Sequence, residues 1–227
     1  MNDVLKHEET WQTGLQHELE FWDNWLARKG LQWSDEYQQR LDPNLAISDY
    51  YCQFLQNIPR DTIEILDAGA GPLTNLGKKY PGKQLNIVPT DALAREYNRL
   101  LDRHGVSPPI RTIYCKMEEL DRQFKPESFD LVNARNCVDH SLNPLEAIKQ
   151  MLIVTRSGGW VALNHAQNEA ERQQYVGLHQ WNFTVQGNHL IVWSKYKDID
   201  VTQTLSYMGA FDCCLLSEQV HVHVHKH

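Results

Sequence analysis

Hydrophobic and polar positions follow two periods along this chain. From residue 63 onward, short apolar runs alternate with stretches whose apolar residues recur at helical spacing. Short apolar runs separated by helices are typical of a parallel sheet with crossover connections, because its strands are buried on both faces. The pattern therefore predicts an α/β fold with a doubly wound, mostly parallel sheet. The predicted strands are IEILDA, LNIVPT, RTIYCK, FDLVNA and GWVALNH. Helices are predicted to begin at Pro72 and to cover residues 92–104 and 144–154.

The chain before residue 63 has a helical pattern of its own. From Val4 to about Leu31 the apolar residues fall at helical spacing, which predicts one long helix. Large rings dominate the energetics of burial, so tryptophans here either attach the helix to the body of the protein or cover a ligand pocket. Four of the seven tryptophans fall in this region: Trp11, Trp22, Trp25 and Trp33.

Two parts of the chain are expected from these patterns. Residues 1–58 are predicted to form an N-terminal helical cap, and residues 59–227 an α/β domain. An insertion around residues 165–185 is dense in polar and aromatic side chains and is expected to build a pocket for a substrate.

Composition and charge exclude several classes of function. The chain has 227 residues, of which 41% are hydrophobic and 22% charged, as in an ordinary globular protein. Its formal net charge of −7 disfavours a nucleic-acid partner, which requires a basic face. No signal pattern or membrane-length apolar run is visible, and the five cysteines form no CxxC pair. We therefore expect a cytoplasmic protein with no membrane partner.

The segment EILDAGAGPLTNLG carries the first chemical signal. Asp67 ends the first predicted strand, and Gly69 and Gly71 allow the backbone of the following turn to approach a ligand closely. Thr74 stands where a dinucleotide-binding fingerprint has its third glycine, and no G-K-[S/T] of a phosphate-binding loop follows. A carboxylate before the glycines repels phosphate, whereas it suits a ligand that carries an ammonium or a sulfonium.

Further candidate residues follow the next strands. Asp91 closes the second strand, where a carboxylate can accept both hydroxyls of a ribose. The same residue is also a suitable N-cap for the helix after it, and the sequence leaves both roles open. Met117 follows the third strand and is placed to lie on an adenine face.

The ordered set of motifs resembles the class I S-adenosylmethionine-dependent methyltransferases of the branch that acts on small molecules. The resemblance covers about residues 63–165 and rests on ILDAGAGP, VPTDALA, CKMEEL, FDLVNARNCVDH and RSGGWVALNH. It implies S-adenosylmethionine as cofactor and a seven-stranded sheet that ends in an antiparallel hairpin. HLIVWSK and VTQTLSY are the segments expected to form that hairpin.

The resemblance also implies a set of cofactor-binding residues. Asp67 and the two glycines would lie near the methionine portion, Asp91 at the ribose, and Met117 and Glu118 at the adenine. One departure is Lys116, which stands where the family often has an acid and cannot accept a hydrogen bond from the adenine amino group. The full set is Asp67, Gly69, Gly71, Asp91, Met117, Glu118 and Arg135, the last mainly through its backbone.

Two histidines are candidates for acid–base chemistry. Methyl transfer from a sulfonium is an in-line displacement, and a hydroxyl acceptor must also lose its proton to a base. His140 and His165 lie where loops leave the strand ends, and imidazole titrates near neutral pH. Structural hydrogen bonding is the alternative for both, and the neighbouring Asp139 either orients a histidine or is solvated.

The segment from His165 to Phe183 is predicted to contact the acceptor. Its candidate residues are Tyr175, His179, Gln180 and Trp181. The alternative is that the segment is a helix packed on the sheet, with GLHQWN as its turn.

The C-terminal HVHVHKH has four histidines on one side if it is extended, an arrangement that can bind a divalent metal. We interpret it as an exposed edge or a disordered tail and predict no metal site.

The function expected from the sequence is methyl transfer from S-adenosylmethionine to a small molecule. The acceptor is predicted to be a hydroxyl of a metabolite or saccharide, with an amine or a carboxylate as further possibilities. A nicotinamide-dependent oxidoreductase and a non-catalytic protein that binds S-adenosylmethionine and serves as a partner subunit are the alternatives.

Overall fold

The computed structural model describes the backbone of residues 2–227, with the side chains of residue 11 and residues 13–227. The helices are α1 Asn2–Ala27, α2 Ser34–Leu41, α3 Asp49–Leu55, α4 Ala94–Arg103, α5 Leu120–Gln123, α6 Pro144–Val154, α7 Glu169–Arg172 and α8 Val201–Leu205. The strands are β1 Thr62–Ala68, β2 Gln84–Asp91, β3 Ile113–Tyr114, β4 Phe129–Arg135, β5 Thr155–Ala166, β6 Asn182–Gln186, β7 His189–Trp193, β8 Asp198–Asp200, β9 Gly209–Leu216 and β10 Gln219–Lys226. Short 3₁₀ turns cover Leu31–Trp33, Met117–Glu119 and Val138–His140.

Seven strands form one twisted sheet in the order β3-β2-β1-β4-β5-β10-β9. The first five are parallel, and β10 is antiparallel to both of its neighbours. The strand order reverses between β1 and β4, which is the switch point where ligands bind in sheets of this kind. The predicted doubly wound sheet of seven strands is thus confirmed.

Burial explains why the central strands read as continuous apolar runs. Every side chain of β4 except Arg135 is buried, because helices cover both faces of the sheet. α6 begins where predicted, with Pro144 in its first turn and the Asn143 side chain accepting a hydrogen bond from the Glu146 amide.

The expected C-terminal hairpin was assigned to the wrong segments. HLIVWSK forms β7 of a separate three-stranded sheet, β6-β7-β8, and most of VTQTLSY forms α8 and the turn after it. The hairpin consists of β9 and β10, so HVHVHKH lies inside the sheet rather than in a disordered tail or at an exposed edge. Its valines are fully buried on one face, and on the other His223 packs against Tyr50 and Phe54.

The helix predicted to begin at Pro72 is also wrong, because no helix lies between β1 and β2. Thr74 donates a side-chain hydrogen bond to Asp67 instead of continuing a helical turn. Farther along, Lys79 accepts a hydrogen bond from the Ile47 amide, which ties the segment to the chain before β1.

The N-terminal helix is present as α1 and packs across the carboxyl ends of the strands. Trp25 and Leu26 are buried in an apolar cluster with Tyr37 and Tyr97. Within residues 2–227, no helix is both long enough and apolar enough to cross a membrane.

Candidate active site

A cavity of about 270 Å³ lies at the carboxyl ends of β1, β2 and β4 and extends beneath α1. Most of the predicted cofactor and catalytic residues line it: Asp67, Gly69, Gly71, Asp91, Met117, Glu118, Arg135 and His140. The structure therefore brings these eight residues to one place, as parallel strands require for residues that follow their carboxyl ends.

Both glycines of the turn after β1 have left-handed backbone conformations, with φ of +71° at Gly69 and +65° at Gly71. A Cβ on Gly69 would lie 2.6 Å from the Sγ of Cys137, and one on Gly71 would lie 3.0 Å from the Trp22 ring. Glycine is therefore needed at Gly69 for both its conformation and its space.

Asp67 is buried at the floor of the cavity, and each of its carboxylate oxygens accepts a hydrogen bond. One carboxylate oxygen accepts from Asn133 at 2.7 Å and the other from the Thr74 hydroxyl at 2.6 Å. Burial raises the pKa of Asp67, against both hydrogen bonds, which lower it. Thr74, which departs from the dinucleotide fingerprint, thus serves to fix this carboxylate.

Asp91 joins the glycine turn to the start of α4. Its Oδ2 accepts from the Gly71 amide at 3.0 Å and its Oδ1 from the Leu93 amide at 2.9 Å. Each oxygen retains lone-pair capacity for a ligand hydroxyl. The alternative role as an N-cap is not seen, since α4 begins at Ala94 with Leu93 at the cap position.

Residues after β3 form another part of the wall. The Met117 methyl is 3.4 Å from the position of a Gly69 Cβ, so it closes the space over the turn. Glu118 accepts from the amides of Leu142 and Asn143, at 2.8 and 3.3 Å, and so ties this wall to the start of α6. Lys116 lies over the Trp11 ring, 5.2 Å from its centroid.

α1 forms another side of the cavity, in agreement with one of the two roles considered for its tryptophans, whereas Glu18 was not predicted as a binding residue. Trp11, Leu15, Glu18 and Trp22 all line the cavity, and their spacing places them on one face of the helix. The signal was a charged residue, Glu18, on an otherwise apolar stripe. Trp11 and Trp22 therefore cover the pocket, whereas Trp25 is a core residue and Trp33 is exposed.

Arg40 of α2 is a second residue that the sequence analysis missed. It lines the cavity, donates to the Leu73 carbonyl at 2.6 Å, and forms an ion pair with Glu36 at 2.6 Å. Its guanidinium lies 5.6 Å from the ring centroids of both Trp22 and Trp25. No local pattern in the sequence indicates that this arginine meets the glycine turn.

His140 belongs to what we call the His–His–Asp cluster, formed by Asp139, His140 and His179. The His140 Nε2 lies 3.2 Å from the His179 Nδ1, which in turn lies 2.8 Å from the Asp139 Oδ2. The third separation, from His140 Nε2 to the same carboxylate oxygen, is 3.5 Å. His179 itself does not line the cavity but reaches it through His140.

The charges in this cluster depend on one another. Burial would raise the pKa of Asp139, but His140 and the hydrogen bond to His179 outweigh it and hold the pKa at about 2. Burial would lower the pKa of His179, but the hydrogen bond and the charge of Asp139 raise it overall. Asp139 is thus a buried, ionised carboxylate that two imidazoles face, rather than a solvated one.

His165 lies outside the cavity. It is 2% exposed and stacks on Phe183 with 4.4 Å between ring centroids. Burial lowers its pKa to about 4. Neither ring nitrogen has a hydrogen-bond partner among the described residues, and its Nδ1 lies 3.9 Å from the Asp139 Oδ1.

The other predicted acceptor residues support the loop after α7 and do not line the cavity. Gln180 donates to the carbonyls of Tyr175 and Gly177, and Tyr175 accepts from Asn182. Trp181 is buried and donates to the Ser141 carbonyl at 3.1 Å. The helix considered as the alternative for this segment is limited to the four residues of α7.

Residues 66–163 match a family model described as a methyltransferase domain. The matched range begins in β1 and ends in β5, and so contains most of the cavity wall. In this region the chain is similar to the class I S-adenosylmethionine-dependent methyltransferases. No curated protein matches the chain.

Solved structures of methyltransferases share the fold. A S-adenosylmethionine-dependent methyltransferase from Clostridium acetobutylicum is 13% identical, with a TM-score of 0.52 over 91% of this chain and 98% of its own. A possible histamine N-methyltransferase from Thermotoga maritima is 13% identical, with a TM-score of 0.51 over 96% of this chain and 100% of its own. The trans-methyltransferase CalH, in complex with SAH, is 17% identical, with a TM-score of 0.51 over 74% of this chain and 52% of its own. At these identities the likeness concerns the fold of the methyltransferase domain.

The cavity of the methyltransferase domain fits a cationic nucleoside. Its wall combines carboxylates that suit a sulfonium or an ammonium with a turn where only glycine leaves room for the backbone to approach. S-adenosylmethionine, the cofactor of this class, carries both cationic groups, and its ribose offers two hydroxyls to a carboxylate such as Asp91.

Proposed function

We propose that this enzyme transfers the methyl group of S-adenosylmethionine to a hydroxyl of a small metabolite or saccharide. The observation that carries the proposal is that the glycine turn, Asp91 and His140 line one and the same cavity. Groups that bind a methyl donor and a group that can remove a proton thus meet in a space covered by α1.

In this proposal the cofactor is held by the residues around the turn. Asp91 accepts the ribose hydroxyls with the lone pairs that the Gly71 and Leu93 amides leave free. Met117 packs on the adenine, beside Glu118, and the methionine portion lies by Gly69, Asp67 and the backbone of Arg135. The bound sulfonium supplies an activated methyl group, so the chain's own task is to orient both reactants and exclude water.

Removal of the acceptor proton falls to the His–His–Asp cluster. His140 lines the cavity, while the Asp139 carboxylate behind it stabilises a positive charge on the imidazoles. His165 does not reach the cavity, and we assign it to positioning Asp139 rather than to contact with substrate.

A small acceptor is supported by the cavity and by charge. The space of about 270 Å³ is covered by α1, and the chain has a net charge of −7, which disfavours nucleic acid. Methyltransferases of this fold include a possible histamine N-methyltransferase and a carbon methyltransferase, so the fold does not select the acceptor atom. The setting we propose is cytoplasmic, in agreement with five free cysteines.

Calorimetric titration with S-adenosylhomocysteine and with NADH tests the cofactor. Binding of the first and not of the second supports the proposal, whereas the reverse would support a nicotinamide-dependent oxidoreductase. Incubation with radiolabelled S-adenosylmethionine and matched alcohols, amines and carboxylates then tests the acceptor. Label in the alcohols alone is the expected result, and binding without transfer to any compound would indicate a non-catalytic partner protein.

A further inference from the structure

Three possible ligand atoms converge at one point of the His–His–Asp cluster. The Nε2 of His140, the Nδ1 of His179 and the Oδ2 of Asp139 lie 3.2, 2.8 and 3.5 Å from one another. They come from different parts of the chain, since Asp139 and His140 follow β4 and His179 lies in the loop after α7. Among the side chains that the structure describes, this is the group of histidine and carboxylate ligands close enough to share a metal ion.

Hydrogen bonding satisfies these three atoms poorly, because the arrangement in which both imidazoles donate to Asp139 leaves the His140 Nε2 3.5 Å from the carboxylate oxygen. An imidazole nitrogen carries either one proton or one lone pair. If the His179 Nδ1 donates to Asp139, it has no lone pair for His140. If it accepts from His140, its lone pair faces the carboxylate oxygen at 2.8 Å. A single cation at the point of convergence satisfies all three atoms at once.

The separations are those of neighbouring ligands on one ion. Nitrogen and oxygen ligands about 2.1 Å from a metal, at angles of about 90–110°, lie roughly 3.0–3.4 Å apart. Of the observed separations, 3.2 Å lies within this range, and 2.8 and 3.5 Å lie just below and just above it. We propose that the His–His–Asp cluster binds one divalent first-row transition-metal ion, with two imidazoles and one carboxylate as protein ligands.

A second, independent observation supports a metal site. His165 is a buried imidazole whose two ring nitrogens have no hydrogen-bond partner among the described residues. Its Nδ1 lies 3.9 Å from the Oδ1 of Asp139, which is the oxygen that the cluster does not use. Metal-binding carboxylates are generally held by such a neighbour, and a small movement on metal binding would form this hydrogen bond.

Two tryptophan hydrogen bonds hold the loop that carries two of the ligands. The Trp11 indole donates to the His140 carbonyl at 2.9 Å, and the Trp181 indole donates to the Ser141 carbonyl at 3.1 Å. Because His140 and Ser141 line the cavity, the ion would have its open positions on the side where the acceptor binds.

Two imidazoles and one carboxylate leave coordination positions free on Zn²⁺, Fe²⁺ or Mn²⁺. In the metal-loaded form, an acceptor hydroxyl bound there would have a lowered pKa and His140 would be a ligand, whereas the role of His140 as a base belongs to the metal-free cluster. This role rests on the proposed function, whereas binding of the ion does not.

The histidines of β10 form no comparable site. The Nδ1 of His221 is hydrogen-bonded to Asn164 at 2.9 Å, and the Nε2 of His223 to Tyr50 at 3.0 Å. One ring nitrogen of each histidine is thus engaged by an uncharged side chain on the sheet face.

The test is a calorimetric titration of chelator-treated, full-length protein with Zn²⁺, with Co²⁺ absorption spectra as a second measurement. We expect about one Zn²⁺ per chain, and an affinity lowered at least about 100-fold by His179→Gln or Asp139→Asn. His165→Gln, which spares all three ligands, is expected to lower the affinity roughly 10- to 100-fold.

His189→Gln is the matched control. His189 contacts Asp200 at 2.8 Å, the same distance as His179 to Asp139, but without a third ligand. This variant is expected to bind Zn²⁺ like the unmodified protein. Equal affinity in His179→Gln and His189→Gln would overturn the proposal, as would the absence of stoichiometric binding to the unmodified protein.

Two further measurements separate folding and cofactor binding from the metal site. Circular dichroism and S-adenosylhomocysteine affinity show whether each variant is folded, and the partly exposed His179 is the safer position if Asp139→Asn unfolds. Because Zn²⁺ is titrated without cofactor or acceptor, failure to bind the ion and failure of methyl transfer are distinct results.

Discussion

The protonation state of Asp91 is expected to make the affinity for the cofactor depend on pH. Burial, with a contribution from Glu18, raises its pKa to about 6, against the amides of Gly71 and Leu93 and the charge of His140, which lower it. A ribose is accepted by the ionised form, so affinity is complete above this pKa and is lost as the pH falls through it. We expect S-adenosylhomocysteine to bind roughly tenfold more weakly at pH 5 than at pH 7.5, measured by calorimetry.

Asp91→Asn provides the control for this pH effect. The amide keeps one acceptor oxygen, so the variant is expected to lose roughly 10- to 100-fold in affinity at pH 7.5. It should also lose the part of the pH dependence that comes from Asp91. A pH profile identical to that of the unmodified protein would assign the effect to groups other than Asp91.

His140 is expected to separate turnover from binding. His140→Ala should lower turnover about 100-fold, the usual scale for loss of proton removal, with S-adenosylhomocysteine affinity nearly unchanged. His189→Ala, which removes a histidine paired with Asp200 outside the cavity, should leave both quantities unchanged. Unaltered turnover in His140→Ala would leave His140 with a structural role only.

The sequence predicts which residues lie at the carboxyl ends of the strands, but it does not predict towards which face of the sheet each side chain points. Asp67, Asp91 and Met117 line the cavity because each follows the carboxyl end of a strand or lies in the turn after it. His165 also lies near such an end, yet strand side chains alternate, and it points to the face that packs on Phe183. Glu18 comes from a distant element, so the sequence marks it only as a charge on an apolar stripe, and its place in the cavity required the tertiary structure.

At the scale of elements, α1 is fitted closely to the loop after α7. Gly14 is buried, and a Cβ there would lie 2.7 Å from the Gly177 carbonyl carbon and 2.8 Å from the Leu178 amide nitrogen. Alanine favours a helix by up to about 1 kcal/mol, but a clash with backbone costs typically 1–3 kcal/mol. Gly14→Ala should therefore lower both the melting temperature and the affinity for S-adenosylhomocysteine.

Gln16→Ala is the matched substitution for that test, since Gln16 is exposed on α1 and bonds only to Glu20 of the same helix among the described side chains. It is expected to change the free energy of unfolding by less than about 0.5 kcal/mol. If Gly14→Ala stabilised the protein, close contact between α1 and this loop would be refuted.

The β9–β10 hairpin escaped sequence reasoning because its turn has unusual residues. Ser217 and Glu218 both have positive φ, +48° and +61°, where an Asn-Gly pair would have been recognised. Replacing a residue at positive φ by glycine relieves roughly 1–2 kcal/mol of backbone strain in the folded state. The greater freedom of glycine in the unfolded chain costs up to about 1 kcal/mol. Glu218→Gly is thus expected to raise the free energy of unfolding by roughly 0.5–1 kcal/mol in urea titrations.

Gly187→Ala should change stability in the opposite direction. Gly187 also has a positive φ, of +62°, in the turn between β6 and β7, and a Cβ there meets nothing within 4 Å, so the change tests backbone strain alone. Absence of any effect from Glu218→Gly, with the expected loss in Gly187→Ala, would contradict an ordered turn at residues 217–218.

For the molecule as a whole, α1 closes the cavity while α2 and α4 hold it in place. Asp23 contacts His104 at 2.6 Å and Arg103 at 3.3 Å, which links α1 to α4. If cofactor exchange requires α1 to lift, ligand at about 100 times its Kd should slow amide exchange in residues 11–27 by up to roughly 100-fold. Amides of β10 are the internal reference, and equal rates in α1 with and without ligand would refute the lid role.

The position of β10 has a consequence for how the protein is made. Ala166 of β5 pairs with Gln219, about fifty residues later in the chain, so one side of β5 has no partner while the intervening segment is synthesised. A bare strand edge is a template for pairing with another unfinished molecule. Slow translation at high ribosome density therefore favours pairing between unfinished chains and insoluble product. A separately added peptide of residues 209–227 should pair with the free edge of β5 and increase the soluble yield of chains that stop before β9.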